Sequence, residues 1–189
     1  MFISFIGSLG MAAVAKPMIT LLIGEKWLQS VEFLQIICFS GMMYPLHAIN
    51  LNMLQVQGRS DLFLRLEIIK KIVALGPLCL GIFGSIYWML IGSVFAGFFA
   101  YYLNSYYSGK KLNYSAAEQV RDILPSFGVA ITMAVIVYAM SYLDLEPIIL
   151  LPLQIITGAV LTILLCVGFK NEEFKEIKGM IFSFLHKQK

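Results

Sequence analysis

Residues 148–169 read IILLPLQIITGAVLTILLCVGF, a run of 22 residues that contains no Asp, Glu, Lys or Arg. The hydrocarbon core of a bilayer is about 30 Å thick, and a helix needs about 20 apolar residues to cross it. A helix also satisfies its own backbone hydrogen bonds, which a hydrocarbon solvent requires. The run therefore predicts a transmembrane helix.

Five further apolar stretches of similar length precede this run. Hydrophobic residues make up 59% of the chain and charged residues 13%, at a mean hydropathy of +0.82. Soluble domains average about 45–50% apolar and about 25% charged residues, so this composition indicates a membrane protein. We predict an all-α, polytopic transmembrane helix bundle of about six spans. The predicted spans cover residues 1–23, 31–56, 62–82, 87–107, 123–143 and 148–169.

The cations lie at alternate gaps between the predicted spans. These gaps, together with the start of the third span, hold Arg59, Arg65, Lys70, Lys71, Lys110, Lys111 and Arg121, and five more lysines lie within residues 170–189. The opposite gaps hold Lys26 together with the acidic residues Glu25, Asp144 and Glu146. Cytoplasmic loops carry the excess of Lys and Arg, so both ends of this multi-pass chain are predicted to be cytoplasmic. An even number of spans also requires that both ends lie on the same side of the membrane.

Short polar segments complete the predicted organisation. Residues 170–189 place their apolar side chains on one face and predict a cytoplasmic amphipathic helix that lies on the membrane. Ser115–Glu118 has the capping-box pattern and predicts a short interfacial helix that leads into Pro125. Gly58–Asp61 predicts a tight turn in which Ser60 or Asp61 caps the next helix.

The sequence gives little indication of a catalytic or metal-binding site. Cys38, Cys79 and Cys166 lie singly in three different apolar stretches, as small buried hydrophobes do. His47 and His186 are far apart and have no acidic neighbour, so they form neither a metal site nor a nucleophile–base pair. No basic face interleaved with aromatic residues indicates nucleic acid. We predict a protein that is not an enzyme and needs no cofactor.

Polar side chains inside the second predicted span are the first candidates for function. At about 100° per residue, Ser40, Tyr44 and His47 fall within an arc of about 60°, and Asn50 continues the stripe. Hydrogen bonds between helices would explain such a stripe, at about 0.6 to 2 kcal/mol each. The alternative is a cavity wall that contacts a polar substrate.

Cations inside predicted spans are the second kind of candidate. Lys16 lies about two-thirds along the first predicted span, where a charge costs about 2.5–3.5 kcal/mol, and Pro17 beside it can kink or break the helix. Either Lys16 extends to the interface or it faces an aqueous cavity and attracts an anionic substrate. Arg65, Lys70 and Lys71 either bind anionic headgroups or line the inner mouth of that cavity.

Four segments resemble one transporter family. The segments Leu22–Trp27, Tyr44–Asn50, Gly58–Asp61 and Leu66–Lys71 are similar to the C-terminal half of bacterial Wzx-type flippases. These flippases serve O-antigen, capsule or exopolysaccharide synthesis and belong to the multidrug/oligosaccharidyl-lipid/polysaccharide exporter superfamily. Residues 104–110 give a second, weaker match.

The resemblance implies a fold and a substrate. It implies a transporter of usually fourteen spans, whose two lobes enclose a central cavity, in the bacterial cytoplasmic (inner) membrane. The substrate would be an undecaprenyl-pyrophosphate-linked oligosaccharide, moved from the cytoplasmic to the outer leaflet. Because the first predicted span begins at Met1, we expect this chain to work with a missing N-terminal half or a second copy. The implied substrate contacts are Lys16 first, then Arg65, Lys70 and Lys71, then His47 and Asn50.

Two other functions remain open at this point. A drug or ion antiporter of the same superfamily would need an acidic residue deep in a span, whereas Glu32 and Glu67 lie near span ends. A non-transporting membrane subunit would suit a complete six-span protein.

Overall fold

A computed structural model describes residues 1–112 and 114–168, with the side chains of residues 110–112 left out. This part of the chain is all-helical. Its helices are α1 (Phe2–Ala13), α2 (Ala15–Leu22), α3 (Ser30–Gly41), α4 (Tyr44–Val56), α5 (Ser60–Phe83), α6 (Ile86–Leu112), α7 (Ala116–Ala139) and α8 (Pro147–Gly168). Short 3-10 turns lie at Glu25–Trp27 and Met140–Tyr142. The amphipathic helix predicted for residues 170–189 lies outside the described residues.

Three of the described helical segments are long and apolar enough to cross a membrane, namely Ile86–Gly109, Ala116–Tyr142 and Pro147–Gly168. The bent pair of α1 and α2 adds a fourth if it forms one span. The expected all-α fold is therefore confirmed, with three or four helical segments that could cross a membrane, while the prediction of about six spans is not confirmed. The 24-residue helix α5 is long enough, but Arg65, Glu67, Lys70 and Lys71 lie within it.

The first predicted span is two helices that meet at an angle of 64°. Val14 ends α1 with φ −92° and ψ 5°. Pro17 explains the position of the break, since a proline ring clashes with the carbonyl group four residues earlier, here that of Ala13. The break places Lys16 just after the bend.

The second predicted span, residues 31–56, also consists of two helices. Helix α3 ends at Gly41 and α4 begins at Tyr44. Pro45 is the second residue of α4, where a missing N–H costs little, and its ring would clash with the Gly41 carbonyl in a continuous helix. Both interruptions thus fall four residues before a proline.

Helix α7 is longer than predicted. The capping box is confirmed, since the Ser115 hydroxyl accepts from the Glu118 N–H at 3.2 Å and Glu118 Oε2 accepts from the Ser115 N–H at 2.6 Å. The helix then continues through Pro125 to Ala139. The separate interfacial helix predicted before Pro125 is therefore the first part of α7.

The turn between α4 and α5 lacks the predicted side-chain cap. Gly58 adopts a positive φ of 69°, which favours glycine, and α5 begins at Ser60 without a side-chain cap. Arg59 and Asp61 form an ion pair at 3.0 Å across the turn. A hydrogen bond from this guanidinium lowers the pKa of Asp61 to about 2. The predicted cap by Ser60 or Asp61 is wrong.

The helices pack around α1 and around the α5–α6 hairpin. Helix α1 lies against α3 and α7, where Phe5 meets Phe127 edge to face at 5.4 Å. Helix α6 packs against α3, α4, α5 and α7. Large apolar side chains cover the outside, for example Phe95 at 71% exposure and Leu164 at 62%. Such an outer surface suits contact with lipid acyl chains.

Candidate functional site

Asn50 is the centre of a buried hydrogen-bond network between α4, α6 and α7. Its side chain is 4% exposed. The Asn50 amide nitrogen donates to Gln119 Oε1 at 2.8 Å, and Gln119 Nε2 donates back to Asn50 Oδ1 at 3.1 Å. The Ser108 hydroxyl also donates to Asn50 Oδ1, at 2.6 Å. One amide pair thus ties α4 to α7, and a hydroxyl adds α6.

Further polar groups of α6 extend this network. The Ser105 hydroxyl donates to Gln119 Oε1 at 3.1 Å, and the Tyr101 hydroxyl donates to the Ala116 carbonyl at 3.3 Å. Tyr101 lies three and four residues before Asn104 and Ser105, and Ser108 lies four and three residues after them, so all four share one face of α6. We name these four residues, with Asn50 and Gln119, the polar cluster.

Asn104 is the unsatisfied member of the polar cluster. Its side chain is fully buried, and neither its amide nitrogen nor its amide oxygen has a hydrogen-bond partner among the described residues. A buried polar group without a partner costs about 1–3 kcal/mol. Asn104 therefore holds an unused donor and an unused acceptor inside the bundle.

The α5–α6 hairpin shows which part of α5 lies beside Asn104. A Cβ on Gly92 would lie 3.4 Å from Pro77 Cα, and one on Gly81 would lie 3.1 Å from Met89 Cβ. Continuing this antiparallel register places Asn104 level with Leu66. The charged residues of α5 therefore lie at the same height in the bundle as the polar cluster.

A cavity of about 210 Å³ opens at the break between α3 and α4, where α6 packs against both helices. Ser40, Tyr44 and His47 line one side, and Tyr101 lines the other. The rings of His47 and Tyr101 meet edge to face at 6.0 Å. Because Tyr101 also belongs to the polar cluster, the cavity and the cluster adjoin.

The predicted cationic residues occupy separate places. Lys70 pairs with Glu67 and lies within electrostatic range of His47. Arg65 and Lys71 are exposed on the same helix. Lys16 is exposed on α2, which packs against α3 and α8, so the structure does not bring it to the polar cluster.

Two of the six predicted site residues thus lie in or beside the polar cluster, namely Asn50 and His47, and Lys70 lies nearby. Tyr101, Asn104, Ser105, Ser108 and Gln119 were not predicted as site residues. The spacing of the polar residues on α6 could have indicated them. Across the described ranges, no group of three His, Cys, Asp or Glu residues is arranged to hold a metal ion.

Comparisons with known proteins add no family assignment. No protein-family model, curated protein or solved structure matches this chain. The functional argument therefore depends on the geometry of the polar cluster and its adjoining cavity.

Proposed function

We propose that this chain is part of a membrane transporter that moves a lipid-linked oligosaccharide across the bacterial cytoplasmic membrane. The observation that carries the proposal is Asn104, a fully buried amide with a free donor and a free acceptor. Polar side chains inside membrane helices are costly, and they mark substrate or ion pathways. An amide that is already buried but unpartnered is suited to accept a polar group that arrives and leaves.

The interrupted helices support transport as the function. In transporters, interrupted membrane helices commonly form the binding site, because irregular backbone at membrane depth is tolerated where it lines a cavity. Here the break between Gly41 and Tyr44 forms part of the cavity beside the polar cluster. The bend at Val14 is a second interruption in the same bundle.

The charges and the polar side chains support an amphiphilic substrate with an anionic group. Arg65, Lys70 and Lys71 lie on α5 at about the height of Asn104, where they can attract a pyrophosphate. Asn104 and His47 offer amide and imidazole groups to sugar hydroxyls, whereas the predicted contact Asn50 is already bonded to Gln119 and Ser108. The family resemblance supports undecaprenyl pyrophosphate as the carrier. Lys16 would contact the substrate only in a conformation that brings α2 towards α5.

The proposal also includes an orientation in the membrane and a partner. The cationic connectors place both chain ends in the cytoplasm if six segments cross the membrane, with α1–α2 and α3–α4 each forming one broken span. The proposed partner is a further transmembrane unit or a second copy of this chain, which would close the cavity.

Transport in proteoliposomes tests the proposal. The measured quantity is the rate at which the protein moves a fluorescent undecaprenyl-pyrophosphate-linked oligosaccharide between leaflets. Asn104→Leu should lower this rate at least tenfold, since it removes both free groups. Asn52→Leu is the matched control, because Asn52 is exposed on α4 and should tolerate the change. Wild-type rates in Asn104→Leu would contradict the proposal, as would absence of transport by the wild-type protein.

A non-transporting membrane subunit is the second candidate. The reciprocal bonds between Asn50 and Gln119 favour it, since they are internally satisfied and can serve only to hold helices together. An ion antiporter has less support, because Glu67 is paired with Lys70 and Glu32 is exposed. Partner proteins that assemble equally with wild-type and Asn104→Leu, in the absence of transport, would favour the subunit.

A further inference from the structure

A second pocket, of about 420 Å³, lies between the end of α6 and the start of α7. We name it the tyrosine pocket. Its lining consists of Tyr102, Ser105, Tyr106, Gly109, Tyr114, Ser115, Ala116 and Glu118. Its volume lies within the range of about 300–1,000 Å³ that is typical of small-molecule sites.

Three aromatic rings form the walls of this pocket. The rings of Tyr102 and Tyr106 stack with centroids 6.4 Å apart and an interplanar angle of 28°. The Tyr114 hydroxyl donates to Asp122, which fixes the third ring. Gly109 lets the Tyr114 backbone approach, because a Cβ at this position would lie 2.5 Å from the Tyr114 carbonyl oxygen. The backbone contact and the bond to Asp122 together hold the pocket in place.

The charge of the residues that line the pocket indicates which kind of ligand it would bind. Among the lining residues, Glu118 is the one that carries a charge. Its Oε2 accepts from the Ser115 N–H and hydroxyl, at 2.6 and 2.9 Å, which leaves Oε1 available. A carboxylate disfavours phosphate or carboxylate ligands. Aromatic faces beside a carboxylate favour a cation, and ammonium groups are the cations that aromatic cages bind.

The position of the pocket indicates where such a cation comes from. The candidate spans end at Gly109 and begin at Ala116, so the pocket lies at a membrane–water interface if both helices cross the bilayer. Tyrosines concentrate at this depth, which is the level of lipid headgroups. We propose that the tyrosine pocket binds an ammonium group, supplied either by a zwitterionic aminophospholipid or by a free amine. The pocket shares Ser105 with the polar cluster but is not lined by Asn104, and the proposal does not depend on transport.

Lipid retention measured by native mass spectrometry tests this proposal. The purified full chain is equilibrated with micelles that contain equal amounts of phosphatidylethanolamine and phosphatidylglycerol. Wild-type protein should retain the ethanolamine lipid about three- to tenfold over the glycerol lipid. Tyr106→Leu, which keeps apolar bulk but removes the aromatic face, should abolish most of this preference. Tyr107→Leu is the matched control, because Tyr107 neighbours Tyr106 but does not line the pocket.

A second variant and a soluble competitor complete the test. Glu118→Gln keeps the capping-box pattern and hence the fold, but removes the charge, so it should weaken the preference. Displacement of the lipid by tetramethylammonium chloride, compared with sodium chloride at equal ionic strength, shows that free ammonium ions also bind. Retention without displacement assigns the site to the lipid headgroup. Equal retention of both lipids by wild-type protein, or an unchanged preference in both variants, overturns the proposal.

Discussion

Replacing Asn50 by Leu should destabilise the bundle by about 3–5 kcal/mol. The substitution removes two reciprocal hydrogen bonds with Gln119 and one from Ser108, and such bonds contribute about 0.6 kcal/mol each in membrane proteins. It also leaves the Gln119 amide N–H group buried without an acceptor, at a cost of about 1–3 kcal/mol. Gln119 Oε1 still accepts the hydrogen bond from the Ser105 hydroxyl, so the substitution leaves only the N–H side of this amide without its partner.

A double-mutant cycle separates these contributions. Gln119→Leu alone should cost less, because the Asn50 amide keeps its hydrogen bonds to the Leu46 carbonyl at 3.0 Å and from the Ser108 hydroxyl at 2.6 Å. The double variant Asn50→Leu/Gln119→Leu removes both partners and should cost less than the sum of the two single variants by at least about 1 kcal/mol. The free energy of unfolding is measured by titrating dodecyl sulfate into dodecyl maltoside micelles. Additive costs in the cycle would refute the reasoning that these side chains bond across the helices.

Two further predictions concern the connections between helices. Gly109→Ala should destabilise the protein by about 1–3 kcal/mol, because its Cβ would lie 2.5 Å from the Tyr114 carbonyl oxygen. The control Gly128→Ala places its Cβ in open space and should leave the free energy of unfolding unchanged in the same titration. Arg59 holds the pKa of Asp61 at about 2, so stability from this pair is present above about pH 3.8 and lost as the pH falls towards 2. In Arg59→Gln the carboxyl should titrate near 3.8, as carbon-detected NMR would show.

The local patterns of the sequence predicted much of the helical framework. The uncharged run at residues 148–168 lies almost entirely in α8, and the capping-box pattern at Ser115 begins α7. Pro17 was identified as a possible break, but Pro45 was not, although both act on the carbonyl four residues earlier. Pro125 lies inside α7 without ending it. Proline alone therefore does not determine where a membrane helix is interrupted.

The candidate site was less predictable, for a physical reason. Asn50 and Gln119 are 69 residues apart, and hydropathy says which segments are apolar but not which faces meet. Asn104 was visible only as part of a weak family match. Its burial without a partner depends on how α6 packs against α4 and α5, which periodicity within one helix does not specify. Lys16, the leading charged candidate, lies on a helix that packs elsewhere.

Side-specific cysteine labelling tests the central claim, that these helices cross a membrane with their cationic connectors on the cytoplasmic side. Cys38, Cys79 and Cys166 are first replaced by Ala, and single cysteines are then introduced. The positions for the cationic side are Ser60 and Ala117, and those for the opposite side are Lys26, Ser85 and Asp144. A membrane-impermeant maleimide should label the second set in intact cells and the first set only after permeabilisation. Labelling at Ser60 or Ala117 in intact cells, or recovery of the chain in the detergent-free soluble fraction, would contradict the account.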